Sequence, residues 1–599
     1  MKASTRRFVF GLAALWVVGL CALSGGAAAR DDGAPVEQTD VTATPTPTPS
    51  STPTSSPTPA PTWTPLPAGV AGAPDIGDPT VPGLGNTGYD VQHYDLDITI
   101  DFDRMELAAA VTLDIKAELD GLARFSLDFA GPPVEMVLIN GQPAPWQQQG
   151  LKLWITLPAP ARAGSTFTAA VHYAGRPRTF QSPYMPFLSL GALGSQQERE
   201  LFTFNEPDGA RAWFPCNDHP RDKATYTFTL TVPGDLSAVA NGEPEPPIDN
   251  GDGTRTFVWR MNYPMATYLA VIAVGDYRVV EETGPGDIHL RHYYFANQSE
   301  AAVRQTFAVT GDAIAFYEQV FGPYPFDGYG HVLTRQGDVG METQTMTIMP
   351  MMLGDGGPGA VRIIVHELAH QWFGNLVSPY SWADIWLNEG FATYAEILWS
   401  EFTGGQEAMA DNLGFNEFDV FIGGEFAPVG APAVTDLFGT NSYKKGGWVV
   451  HMLRREIGDE AFLATLRAYL ERFGGGNATT RDLWDVAEAV SGQDLDAFFE
   501  QWVYRPGNPQ VSLYWTIDGA VLACQAGEPF VIDLPLGFTS DRAEHPDQET
   551  LVTLAIDEAA ERAQFPLGFK AQQLWADPVQ DVLAQVKAQQ VDVLPSACP

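Results

Sequence analysis

The spacing of apolar residues changes period twice along this chain, and that change limits the possible fold more than any other feature. From about Tyr89 to Tyr277, short runs alternate apolar and polar residues, as in HYDLDITIDF, TYTFTLTV and TRTFVWRM. Strand side chains point to opposite faces in turn, so a period of two marks half-buried strands. Asn140-Gly141, Asn241-Gly242 and Gly251-Asp252-Gly253 interrupt the runs where turns are needed. From about Glu300 apolar residues recur at i, i+3, i+4 and i+7 in AAVRQTFAVTGDAIAFYEQVF, VRIIVHELAHQWFGNLV and SYKKGGWVVHMLRREIG. That spacing gives helices with one apolar face. Two more helices are expected around Thr480–Ser491 and Asp494–Tyr504. After Pro506-Gly507-Asn508-Pro509 the strand pattern returns in VSLYWTI, FVIDLPLGF and ETLVTLAI. A chain of 599 residues exceeds a single hydrophobic core. The expected class is therefore multidomain α+β. A β-rich domain is placed at 86–282, a mostly helical domain at 283–506 and a small β-sandwich at 507–599.

The N-terminus reads as an export signal. Lys2, Arg6 and Arg7 precede an uncharged apolar run from Phe8 to Leu23, and Ala27-Ala28-Ala29 follows. The run is long for a cleaved core and short for a membrane span. Residues 1–29 are thus either a cleaved signal peptide or an anchor retained through residues 8–23. Residues 30–85 are assigned to a disordered linker; within it, TPTPTPSSTPTSSPTPAPTWTPLP alternates Thr or Ser with Pro and carries no charge. Such a stretch is an extended, semi-stiff spacer open to glycosylation. The expected location is outside the cytoplasm, extracellular or tethered to the cell surface. Asp and Glu number 73 against 34 Lys and Arg, a formal charge of −39. That balance speaks against a nucleic-acid partner and against docking by charge onto an anionic membrane. The four cysteines, at 21, 216, 524 and 598, fit no cysteine metal site. Cys524 and Cys598 either pair or remain two buried thiols, and Cys216 stays unpaired.

Function must come from local motifs. His366-Glu367-Leu368-Ala369-His370 lies in a helical pattern, so both imidazoles share one face about a turn apart. Two nitrogen ligands on one rigid face can hold Zn²⁺ and leave other positions open. Glu367 can then reach a zinc-bound water as its general base. After eighteen intervening residues comes Glu389, on a second helix that Ser381 can cap with Asp384 three positions on. Alone, Glu389 reads as a surface carboxylate; beside the paired histidines it reads as the third ligand of one catalytic zinc.

HELAHQWFGNLV followed by WLNEGFATY resembles the zinc signature of the aminopeptidase N family of zinc metallopeptidases, in spacing and in flanking residues. The order of domains is similar too, over roughly Asn86 to Gln590. The resemblance implies a β-rich saddle domain, a thermolysin-like catalytic domain and a β-sandwich, with zinc-dependent removal of N-terminal residues from peptides that carry a free amine. Gly340-Met341-Glu342-Thr343-Gln344 resembles the family's GxMEN motif, which implies that Gly340, Met341 and Glu342 bind substrate, Glu342 at the α-amine. Thr343 stands where Asn is usual. TFNEPDGARAWFPCNDHPRDKATYTF resembles an N-terminal-domain segment and implies a second amine-binding role for Glu206, with His219 where Glu is usual. Tyr443-Lys444-Lys445-Gly446 resembles the YxKG segment, whose tyrosine, here Tyr443, donates a hydrogen bond to the oxyanion. The long helical C-terminal domain of larger family members is expected to be lacking, which would leave an open cleft that tolerates longer peptides. Two other readings stay open. One is a zinc endopeptidase or other zinc hydrolase on the same fold, for which Thr343 leaves room; the other is a surface-tethered binding protein with an idle site.

Overall fold

The computed structural model describes residues 69–599 apart from 338, 358, 424–426 and 541–548. The apolar N-terminal run with Cys21 and the Thr/Pro-rich stretch lie outside the described residues. Among the described residues no helix is long and apolar enough to cross a membrane.

The period of two becomes a nine-stranded sheet. Tyr89–Asp101, Glu106–Ala117, Thr166–Gly175 and Val134–Ile139 run antiparallel in that order. Ala224–Pro233 joins Tyr89–Asp101 in parallel and pairs antiparallel with Thr254–Met265. Along the first of these strands Tyr94, Leu96, Ile98 and Ile100 are buried, while Asp95, Asp97 and Thr99 face solvent. A slip of one residue would turn all four apolar side chains outward, so burial fixes the register. Two smaller sheets of four and five strands complete the domain, and the five-stranded one contains Glu200–Phe204, which leads directly to Glu206.

Residues 69–85 differ from the expected linker. Val70–Ala71 pairs with Leu122–Asp128, and Asp78, Val81 and Leu84 are buried. Asp75 accepts from the backbone of Gly77 and Gly83, which closes the turns. Two apolar side chains in a Gly/Pro-rich stretch make no period, so this packing left no pattern in the sequence.

A four-stranded sheet, Tyr277–Thr283, His289–Phe295, Gly328–Thr334 and Met346–Pro350, opens the next domain. Tyr277–Thr283 pairs with His289–Phe295 along its whole length, across the position 282/283. The helices are α1 (Glu300–Phe307), α2 (Val309–Phe321), α3 (Ala360–Ala369), α4 (Trp386–Gly423), α5 (Gly446–Ile457), α6 (Asp459–Phe473), α7 (Thr480–Ser491) and α8 (Asp496–Phe499). A non-helical residue, Gly405, interrupts α4. α3 packs between α2 and α4, with Ile364 and Leu368 fully buried; each contributes about 2 kcal/mol. It stops at Ala369, short of the apolar pattern, because the chain turns tightly from His370 to Gly374. Thr479 and Asp482 close a reciprocal capping box at the start of α7.

The C-terminal strands form two sheets, one of four strands and one of three, with Trp515 meeting Phe538 across the gap. Cys524 and Cys598 are disulfide-bonded across 74 residues, and Cys216 is free and buried. Cross-linking a loop of that length removes chain entropy from the unfolded state, worth up to about 4 kcal/mol. Calorimetry of a Cys598→Ser variant should show the sandwich melting earlier, its stability lower by up to about 4 kcal/mol, with metal binding in the helical domain unchanged.

Candidate metal centre and active site

α3 presents His366 and His370 on one face, and the chain returns through Ser378–Pro379 and a turn at Trp382–Asp384 into α4. Glu389 sits in the first turn of α4, with its Oε2 3.4 Å from Nε2 of both histidines. Potential ligand atoms of the three residues lie within 4.8 Å of one another. Each imidazole is held through its other nitrogen. His366 Nδ1 donates to Glu396 Oε1 at 2.8 Å, and His370 Nδ1 donates to the Phe373 carbonyl at 3.0 Å. Those bonds fix the tautomer that leaves both Nε2 lone pairs free for a metal. Glu389 Oε2 is buried and has no hydrogen-bond donor. An orphaned carboxylate oxygen beside two free imidazole nitrogens fits tetrahedral Zn²⁺ with one position open.

More negative charge surrounds this set than the protein itself compensates. Glu342 and Glu367 approach His370, and Glu206 and Glu342 approach Glu389, each group again within 4.8 Å. Glu206 Oε1 and Glu342 Oε1 are buried without partners. Burial, then repulsion from Glu342, Glu389 and Glu367, pushes the Glu206 carboxyl well above the carboxylate range. Burial also raises Glu342, against the pull of His370. It lifts Glu367 to about 8 even though both imidazoles oppose it. Glu389 goes the other way, to about 2, because His370 and His366 outweigh its burial. Carboxylates crowded in a dry space are costly unless cations meet them. The geometry therefore suits a dication at the histidines and an ammonium between Glu206 and Glu342.

The supporting backbone is specific. Met341 exchanges both backbone hydrogen bonds with Ile348. A Cβ on Gly340 would lie 2.5 Å from Glu367 Oε1, so a side chain there would displace that carboxylate from its present place. The Glu342 carbonyl accepts from Asn375 Nδ2 at 2.7 Å and Gln371 Nε2 at 3.3 Å, both just beyond α3. Thr345 lies in the left-handed region at φ 64°, a strained conformation for a β-branched residue. Gln371 accepts its N–H at 2.9 Å, and Gly242 N–H donates to its hydroxyl at 2.8 Å, which holds it there. The Thr343 hydroxyl donates to the Met346 carbonyl, so the exchange for Asn serves the turn itself.

Tyr443 lies in a π-helical turn, Asn441–Lys445, that runs into α5. Its ring is nearly parallel to His366 with centroids 6.1 Å apart. Burial, then the field of Glu389 and the other carboxylates, keeps the phenol protonated well above its usual range. The turn reaches this place because α4 and α5 cross backbone to backbone: a Cβ on Gly390 would meet the Gly446 backbone at 2.9 Å.

All nine residues singled out in the sequence, Glu206, Gly340, Met341, Glu342, His366, Glu367, His370, Glu389 and Tyr443, come together here. Sequence reasoning missed Glu396, Gln371, Asn375 and Tyr268, whose hydroxyl accepts from Asn388 Nδ2. Glu396 had a readable signal, seven residues after Glu389 on the same helix face.

A model of the peptidase family M1 domain matches residues 305–502, and one of the peptidase M1 N-terminal domain matches residues 90–269. Aminopeptidase M1 of Arabidopsis thaliana is 31% identical over 335 residues, covering 51% of this chain and 37% of that protein. Glutamyl aminopeptidase of Rattus norvegicus is 32% identical over 336 residues, covering 52% and 35%. The matched region thus spans little more than a third of those relatives. A crystal structure of an M1 zinc metallopeptidase variant from Deinococcus radiodurans, bound to a Tyr-Ser-Ala substrate, aligns with a TM-score of 0.66 at 33% identity. That alignment covers 73% of this chain and 98% of the other.

Glu396 orients a ligand without being one, and losing such a partner typically costs 10–100-fold in metal affinity. Chelator competition on a Glu396→Ala variant should show a loss of about that size.

Proposed function

The chain belongs to the peptidase M1 family, and on that premise we propose that it is an exported zinc aminopeptidase, removing N-terminal residues from peptides. The observation that carries the reading is the pair of buried, unpartnered carboxylates, Glu206 and Glu342, beside the His366–His370–Glu389 set. A substrate ammonium between them forms charge-assisted hydrogen bonds and fixes where the first carbonyl lies. Bound zinc supplies Lewis acidity toward that carbonyl and toward the attacking water. Glu367 takes the water's proton on a carboxylate oxygen and passes it to the leaving nitrogen. Tyr443 keeps its phenolic proton and donates a hydrogen bond to the oxygen on which charge develops.

An acylated amine carries no charge and would leave both carboxylates buried without a cation, so a blocked peptide is rejected. This separates the proposal from an endopeptidase on the same scaffold. Export rests on Lys2, Arg6 and Arg7, the apolar run to Leu23 and Ala27-Ala28-Ala29. The N-terminal mass of protein recovered outside the cytoplasm tests it and separates a cleaved signal from a retained anchor.

A leucine anilide should be hydrolysed and its N-acetylated twin should remain at background; equal cleavage of both would overturn the aminopeptidase reading. Glu342→Gln, which removes one charged partner of the amine, should lower kcat/KM by about 10–100-fold. Glu367→Gln should abolish turnover while zinc stays bound, as metal analysis of the purified variant would reveal.

A further inference from the structure

His219 has a partner that the sequence did not suggest. Its Nδ1 accepts the Arg221 N–H at 3.2 Å, so Nε2 carries the proton and donates to Asp78 Oδ2 at 3.1 Å. Asp78 lies in the segment that follows the Thr/Pro-rich spacer, and its carboxylate is almost wholly buried. It accepts three further hydrogen bonds, from Thr80 N–H at 2.9 Å, the Ser381 hydroxyl at 3.0 Å and Trp382 N–H at 2.9 Å. Burial would raise such an acid, but the donors led by His219 and Trp382 hold it well below the usual range, so it stays ionised. Arg221 fastens the same corner, donating to the carbonyls of Tyr380 at 2.6 Å and Ile76 at 3.3 Å.

The Trp382 turn leads straight to a metal ligand. Ile385 N–H donates to the Trp382 carbonyl at 3.3 Å, and Glu389 N–H donates to the Ile385 carbonyl at 3.1 Å. Two backbone hydrogen bonds thus join Trp382, whose N–H Asp78 holds, to the residue whose Oε2 faces both histidines. The indole of Trp382 is fully buried against Tyr268, and Tyr268 in turn bonds Asn388, the neighbour of Glu389. Ile385 and Asn388, both just ahead of Glu389, are therefore referred back to the same corner.

We propose that Asp78 is a positioning residue for the metal centre: held by His219, it fixes the Trp382 turn and through it the placement of Glu389. This rests on the zinc-site reading above but not on the identity of the substrate. The segment after the spacer then acts as part of the active-site scaffold rather than as the end of a linker.

The decisive variant is Asp78→Asn, which keeps the shape and turns one acceptor oxygen into a donor facing donors. Zinc affinity is measured by chelator competition on the full chain, alongside kcat and KM for a leucine anilide. Capping and ligand-orienting contacts of this kind lead us to expect zinc binding weaker by about tenfold. A lower kcat with KM within about twofold should accompany it. His219→Ala should give a smaller loss of the same kind. The double variant should be no worse than Asp78→Asn alone, since both act through one carboxylate. Val111→Ala, a cavity in the N-terminal sheet remote from this corner, serves as the stability control. Unchanged zinc affinity in Asp78→Asn overturns the proposal, as does an equal loss in a Val111→Ala protein of matched thermal stability. If Asp78→Asn does not fold, His219→Ala alone decides between the same two outcomes. Wild type that binds zinc yet cleaves no anilide would refute the aminopeptidase reading, while the zinc titrations would still judge Asp78.

Discussion

Negative charge held away from water has to be answered by positive charge, and that requirement organises everything around α3 and α4. Five carboxylates, those of Glu206, Glu342, Glu367, Glu389 and Glu396, are buried there. On the inner side the protein answers for itself. Glu396 is buried, yet Lys444 and its bond to His366 keep it ionised, and Arg362 lies 3.8 Å away. On the cleft side Glu206 and Glu342 each keep a buried oxygen without a hydrogen-bond donor, and Glu389 faces the two imidazoles. The contrast between the two walls divides structural charge from charge kept for ligands.

The N-terminal sheet domain is part of the site, not a bystander. It delivers Glu206 directly, and it also braces the loop between the second histidine and the third ligand. Lys223 donates to the carbonyls of Asn375, Leu376 and Gly476, and burial drives its ammonium down to about 7. Asn477 reaches back to the Pro220 carbonyl at 2.8 Å. Segments 219–223 and 375–382 are thus stitched together by side chains that bond to backbone, which fixes position without depending on side-chain shape.

Much of this was legible in the sequence because it depends on local spacing. The i, i+4 histidines, the period-two strands and the helical spacing over Thr480–Ser491 each express a rule that acts within one element. Glu389 was legible once His366 and His370 supplied its context. The rest depends on tertiary approach. Nothing in the sequence says that Asp78 will meet His219 across 141 positions, or that Gln371 and Asn375 will grip the Glu342 carbonyl. The linker's expected end at residue 85 failed for the same reason: Val81 and Leu84 are isolated apolar residues whose burial comes from packing, not from a repeat.

The backbone contact of Gly390 with Gly446 joins the residue after Glu389 to the turn that holds Tyr443. With no side chains between them, neither helix can slide or roll without carrying the other. The acid that would hold the metal and the phenol that would face the substrate oxygen therefore share one rigid frame. Divergence in such a protein is channelled accordingly: drift at either glycine would have to be matched at once by a shift of both groups. Variation in substrate taste has an easier route through surfaces that this frame leaves alone.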